Sequence, residues 1–273
     1  MRLRALDTDV DVRVGGPDPE SLARVLEERW VLCLREADAA AEEPVGVSAA
    51  LVPADGAPAP GPRGAADVVD ADVGSLLMRL THAVTRAVIE ARTGDLLMLH
   101  ASALADHDTG ATVVMVARGN TGKSTACRVL GPGRGYLTDE TVGVRRDGTV
   151  AAYAKPVSTR RPDWGAVKDE VAPPALGLQL PRATPRVAGL LLLARDDGHP
   201  GDAVVEELST LEALTAIAPE TSGFMRTDRP LTWLAELIES TGGARRVRYA
   251  ATPQIAPVVD EVVGPVAVAG RTS

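Results

Sequence analysis

The spacing of apolar positions changes several times along the chain, and each spacing predicts an element. Residues 9–14, DVDVRV, alternate polar and apolar, the period of a half-buried strand. Residues 15–19 read as a turn. Over residues 20–35, Leu22, Val25, Leu26, Trp30 and Leu34 recur at helical spacing, and residues 45–52 predict a second strand. Residues 53–64 are rich in Pro, Gly and Ala and read as a linker. Residues 72–92 place Leu76, Leu77, Leu80, Val84, Val88 and Ile89 on one face, which predicts a long amphipathic helix ended by Gly94.

Downstream the pattern changes to shorter apolar runs that read as strands. Residues 96–104 and 112–116 are two such runs, and the second leads into a glycine-containing loop and a short helix over Lys123–Leu130. Gly131-Pro132-Gly133 stops that helix. Residues 141–145 and 149–153 flank Asp147-Gly148, a hairpin signal. Residues 162–185 are proline-rich and irregular. Residues 187–193 predict a buried strand, 208–217 and 231–240 helices, 247–250 a short strand and 255–263 a last helix. Strands and helices mixed around a strand–loop–helix unit predict an α/β fold, and no internal repeat is present.

Composition narrows the classes. The chain has 273 residues, 45% hydrophobic, enough for one large or two small units. Its 37 acidic and 29 basic residues leave a net charge of -8, which argues against a nucleic-acid binder or an anionic-membrane binder. Aromatics at 3% offer no stacking platform for bases. Cys33 and Cys127 lie in apolar surroundings and are expected as buried, reduced thiols. No zinc spacing, signal peptide or membrane-length apolar run is present, so a cytoplasmic protein is expected. Lysine is scarce: only Lys123, Lys155 and Lys168 occur.

That scarcity sharpens the loop. Ala117-Arg118-Gly119-Asn120-Thr121-Gly122-Lys123-Ser124 follows an apolar strand and opens a helix, close to the phosphate-cradling pattern G-x-x-x-x-G-K-[ST] with Ala117 in the first glycine's place. In so lysine-poor a chain, a lysine would rarely land there by chance. The loop's backbone N–H groups, from Gly119, Asn120, Thr121 and Gly122, would face the phosphates, with the helix N-terminus behind them. Lys123 would bridge β- and γ-phosphate oxygens, Ser124 would hold Mg²⁺, and Thr125 would assist at the α-phosphate.

A phosphoryl transferase also needs carboxylates. Asp139-Glu140 follows Gly135-Tyr136-Leu137-Thr138. Asp196-Asp197 follows the strand over 187–193 but also reads as a solvated turn. The stretch Lys155 to Arg161 gathers three cations and is expected as a solvated loop, with a phosphate contact as the alternative.

Leu99-His100-Ala101-Ser102-Ala103, the glycine loop with Lys123-Ser124-Thr125, and Leu137-Thr138-Asp139-Glu140 stand in that order. Together they resemble the bacterial HPr serine kinase superfamily, most closely its divergent members that phosphorylate ribosomally made peptides such as lasso peptide precursors. The resemblance covers roughly residues 96–160. It implies a P-loop kinase core of HPr-kinase-like type over residues 67–273, with a smaller N-terminal α/β portion over 1–66. It implies His100 beside the phosphate site, Asp139 as base for the acceptor hydroxyl, and Glu140 on the metal side. Asp-Glu replaces the family's Asp-Asp, and the glutamate-arginine-glycine signature of true HPr kinase/phosphorylases has no counterpart, which sets HPr itself and the phosphorylase reaction aside. The expectation is therefore ATP- and Mg-dependent phosphoryl transfer to Ser or Thr of a peptide or protein. A small-metabolite kinase and a non-catalytic nucleotide-binding module are the alternatives, and homo-oligomerisation is left open.

Overall fold

The computed structural model describes residues 1–36, 43–52, 66–119, 121–161 and 165–266. The linker expected over 53–64 lies outside the described residues. Helices and strands are mixed, with six α-helices among the described residues.

The chain begins with β1 (Arg2–Ala5), β2 (Thr8–Gly15), α1 (Pro19–Arg29), β3 (Val45–Leu51), β4 (Ala66–Asp70) and α2 (Val73–Arg92). The four strands form one sheet in the order β1-β2-β3-β4, antiparallel at β1/β2 and parallel thereafter. Asp18 caps α1, its carboxylate accepting from Ser21 N, and Asp72 caps α2 through Ser75 N. The helix expected over 20–35 is shorter than its periodicity. It ends at Arg29, a 3₁₀ turn covers Val31–Cys33, and Leu34 is extended and bridges to Leu3. Trp30 and Cys33 are still buried, so a compact turn supplies the apolar spacing that helix was expected to provide.

There follow β5 (Leu97–Ala105), β6 (Ala111–Val116), α3 (Lys123–Leu130), β7 (Gly135–Thr138), β8 (Thr141–Val144) and β9 (Val150–Ala151). Next come β10 (Val157–Arg160), β11 (Lys168–Val171), β12 (Arg186–Arg195), β13 (Val204–Leu208), α4 (Thr210–Ile217), β14 (Thr221–Ser222), α5 (Pro230–Ser240), β15 (Ala244–Tyr249) and α6 (Ala256–Val263). The main sheet runs β13-β15-β12-β6-β5-β8-β9, with β7 and β14 also on β5. β6, β12 and β15 are parallel to one another. β5 is antiparallel to both β6 and β7.

Both faces of this sheet are covered, which explains the continuous apolar runs. Val114, Val116, Leu190 and Leu192 pack with α4 and α5 on one face. Val113, Met115, Leu191 and Leu193 pack with α3 and α6 on the other. A third core joins the N-terminal sheet to α1, α2, Met98, Ala151 and Tyr153. The division expected after residue 66 thus falls at the start of β4, and α2 lies against the N-terminal sheet with its other side toward the main one. Among the described residues, no helix is long and apolar enough to cross a membrane. Cys33 and Cys127 are free and buried, as expected.

Candidate active site

Strand register brings the chemistry together. Val114 of β6 and Thr138 of β7 both face Ala103 of β5, from opposite edges. β6 and β7 therefore run the same way, and the chain leaves them at the same end of the sheet. The glycine loop leaves β6 there, and Asp139-Glu140 leaves β7 there. Such strand ends are where open α/β sheets place ligands.

Gly122 closes the loop with φ +105°, a conformation open to glycine and strained for other residues. Its carbonyl accepts the first helical bond of α3, from Ala126 N at 2.8 Å. Lys123 begins α3 and is buried, its ammonium donating to the carbonyls of Ala117 at 2.5 Å and Arg118 at 3.1 Å. Burial pushes the Lys123 pKa down to about 8, against the pull of Glu220, Asp139 and Glu140. Ala117, in the place of the first glycine, is itself part of the core beneath α3. A methyl group fits there because it faces packed side chains.

A cavity of about 440 Å³ opens over these groups. Gly119, Gly122, Lys123, Ser124, Thr125, His100, Asp139 and Glu140 all line it. Of the seven loop and helix-start positions expected as phosphate ligands, five line it and one, Thr121, does not. Thr121 lines a neighbouring pocket instead, with its hydroxyl donating to Arg118 O and its carbonyl accepting from Tyr249. Asn120 lies outside the described residues.

The centre of the site is a buried charge cluster. Lys155 Nζ lies 2.7 Å from Asp139 Oδ1 and 3.4 Å from Glu140 Oε2, and both Lys155 and Asp139 side chains are 1% exposed. The Tyr136 hydroxyl sits 3.2 Å from Asp139 Oδ1. Burial alone would raise the Asp139 carboxyl, but Lys155, the nearby Ser124 hydroxyl and Tyr136 hold it below its ordinary range. Burial likewise works to neutralise Lys155, and the charges of Asp139, Glu140 and Glu170 instead hold its ammonium well above the ordinary amine range. Glu170 on β11 accepts from the hydroxyls of Ser158 at 2.8 Å and Thr81 at 3.3 Å. Burial pushes Glu170 up to about 7, opposed by Lys155. Glu140 is more open than Asp139 and is within 3.3 Å of the Thr85 hydroxyl on α2. His100 is half-buried on β5, and burial, then the Lys123 charge, lowers its pKa, which keeps the imidazole neutral at pH 7.

One sequence expectation is corrected, and one open alternative is decided. Lys155 is not in a solvated loop, because Tyr153 N binds Leu137 O and draws residues 153–157 alongside β7. Asp196-Asp197 is the solvated turn that one of its two readings expected, exposed, with Asp196 accepting from Gly198 N and Asp197 pairing with Arg195. Glu170, and His82 of α2 on the cavity wall, were not foreseen; nothing in the irregular 162–185 stretch marks Glu170. The scarcity of lysine that singled out Lys123 applied equally to Lys155 and Lys168, and all three line this cavity.

Among the described residues, no group of three His, Cys, Asp or Glu side chains stands close enough to bind a metal alone. Ser124 with Asp139 and Glu140 does fit Mg²⁺, which commonly takes one or two carboxylates and completes its shell with water and substrate phosphates.

No protein-family model matches the chain, and no curated protein matches it. Among solved structures, the HPr(Ser) kinase/phosphatase from Coxiella burnetii is similar over 61% of this chain and 93% of its own, at 13% identity and a TM-score of 0.28.

Proposed function

We propose that this protein transfers a phosphoryl group from ATP, with Mg²⁺, to the hydroxyl of a Ser or Thr in a peptide or protein. The observation that carries the reading is the opening of Lys123 and the Asp139–Glu140 pair onto one cavity, where Arg128, Lys155, Arg160, Lys168 and Arg195 add further positive charge. The sequence resemblance described above supports the same chemistry.

In this reading the donor phosphates lie on the loop, and Lys123 exchanges its two loop carbonyls for phosphate oxygens. The acceptor oxygen attacks the γ-phosphorus, the bond to the β,γ-bridging oxygen breaks, and ADP leaves. The hydroxyl proton goes to Asp139. A carboxylate of low pKa is a weak base, and that suits a loose transition state in which the proton moves late. Lys155 keeps Asp139 ionised and fixed for that task. Mg²⁺, held by Ser124 and Glu140, would supply charge neutralisation at the phosphates. His100, neutral at pH 7, can donate or accept a hydrogen bond at the phosphate without adding charge.

One observation favours an exchange of the two acidic roles. Asp139 is the more buried carboxylate and is near the Ser124 hydroxyl, whereas Glu140 is more open. Asp139 would then be the metal-side group and Glu140 the base.

The test is mass spectrometry of candidate peptides, including those encoded beside this gene, after incubation with ATP and Mg²⁺. A mass gain of one phosphate that disappears with Lys123→Ala supports the reading. Equal nucleotide-dependent thermal stabilisation of wild type and Lys123→Ala would remove its foundation.

A further inference from the structure

The cavity is far more basic than the chain. Lys123, Arg128, Lys155, Arg160, Lys168 and Arg195 line it against two carboxylates, Asp139 and Glu140. The whole chain carries a net charge of -8. Scattered surface charge does not produce that contrast.

Several of these cations already have a task. Lys155 is bound to Asp139 and Glu140. Arg195 pairs with Asp197 at 2.7 Å. Lys123 serves the donor phosphates in the reading above. Arg128, exposed on α3, and Lys168, half-buried on β11, have no acidic side chain within 4.0 Å among the described residues. Lys168 is held in position, its backbone N–H donating to Met78 Sδ of α2. Its charge is near enough to lower Lys123. Lys168 and Arg128 therefore extend the positive field from the loop across the cavity to the β10–β11 ribbon.

That ribbon is a two-stranded sheet, antiparallel, with Ser158, Thr159 and Arg160 on the cavity wall. A two-stranded ribbon offers main-chain groups to an extended peptide. An acidic peptide approaching a chain of net charge -8 is repelled except where the local field reverses, and such reversal selects partners as well as speeding encounter.

We infer that the acceptor is a peptide in which the reactive Ser or Thr has an acidic side chain close by, and that Lys168 and Arg128 hold that carboxylate. The inference rests on the kinase reading and names its substrate class.

The experiment uses the full chain with ATP and Mg²⁺ and short synthetic peptides containing one serine. Asp, Ala or Lys is placed at each neighbouring position in turn, and free serine and glycerate serve as small anionic acceptors. The expected result is a kcat/KM about tenfold higher for the best Asp-flanked peptide than for its Ala counterpart, the scale of one charged hydrogen bond. That advantage should shrink with added salt. Lys168→Glu should reverse the preference toward Lys-flanked peptides, and Arg128→Gln should raise the KM for the Asp-flanked peptide. Equal rates for the three peptide sets would overturn the inference and leave the kinase reading standing. So would a Lys168→Glu effect confined to the KM for ATP, which would assign these cations to the donor. Phosphorylation of glycerate with none of the peptides would overturn the peptide class. Absence of transfer to every acceptor, with no stabilisation by ATP, would remove the kinase reading and this inference with it.

Discussion

Replacing Lys155 by Met is the sharpest structural test of the charge cluster. The ammonium is 2.7 Å from Asp139 and 3.4 Å from Glu140, it is buried, and Glu170 also acts on it. Met keeps most of the volume and removes the charge, so Asp139, Glu140 and Glu170 face one another without a counter-ion. Removing one partner of a buried pair costs about 3–5 kcal/mol, because the remaining charge stays desolvated. For a chain of this size each kcal/mol shifts Tm by about 2–4 °C, which gives a fall of about 6–20 °C at pH 8. The sign with pH follows from the carboxylates. In the variant their folded pKa values rise above the unfolded ones, so their neutral forms stabilise the fold at low pH and that contribution is lost as pH rises. The deficit should therefore be smaller at pH 5 than at pH 8. Thermal unfolding followed by circular dichroism at both pH values measures it. The double variant Lys155→Met with Asp139→Asn should recover part of the loss, since the stranded charge is gone. A Tm within about 2 °C of wild type at pH 8, or a loss independent of pH, would refute the reasoning.

Asp139→Asn should bind ATP normally and lose about 10²–10⁴ in turnover, while Glu140→Gln should raise the Mg²⁺ concentration needed for activity. The reverse pattern would assign the two acids the opposite way, and near-normal turnover in both would remove the pair from the mechanism. Because Lys123 loses its charge near pH 8 in the free protein, affinity for ATP should fall as pH rises from 7 to 9, by up to about tenfold per unit; titration calorimetry giving a flat profile would contradict this. A chain starting at residue 67 should fail to give a cooperative melt, since β1 to β3 would be missing and the apolar face of α2 uncovered; a folded, active truncation would show that the N-terminal sheet is dispensable.

The main sheet was legible because its strands are apolar on both faces and its helices keep a clear period. The helix over Lys123–Leu130 has the bounds expected of it, since Gly122 and Gly131 punctuate it. α2 was equally plain from its one-sided leucines and valines. What stayed hidden were short strands with little apolar pattern of their own. β13 is exposed at four of its five positions and pairs with β15 far along the chain, which leaves no local trace, whereas the short β1 pairs with the adjacent β2 across Leu6-Asp7. In the site, the loop and the acidic pair were legible because chemistry forces residue types into short spacings. Lys155 and Glu170 were not, because they meet Asp139 and Ser158 only through strand pairing. Asp196-Asp197 also follows a strand, but the glycines and proline after it already read as a solvated turn, and both acids are exposed.

The placement of the lysines has a practical side. With every lysine on one cavity, a reagent that acylates primary amines becomes a probe of that cavity instead of an average of the surface. Lys155 is shielded, Lys168 is within reach, and Lys123 carries an appreciable free-base fraction in mildly alkaline buffer. The α-amino group of Met1 already donates to Val12 O at 2.9 Å. Coupling the protein to a sensor surface through its amines would therefore tether it by the very wall a ligand must pass, and an apparent failure to bind would be created by the attachment. Attachment through a terminal tag, with amine acylation kept as a separate footprinting experiment in the presence and absence of nucleotide, turns the same feature into a readout.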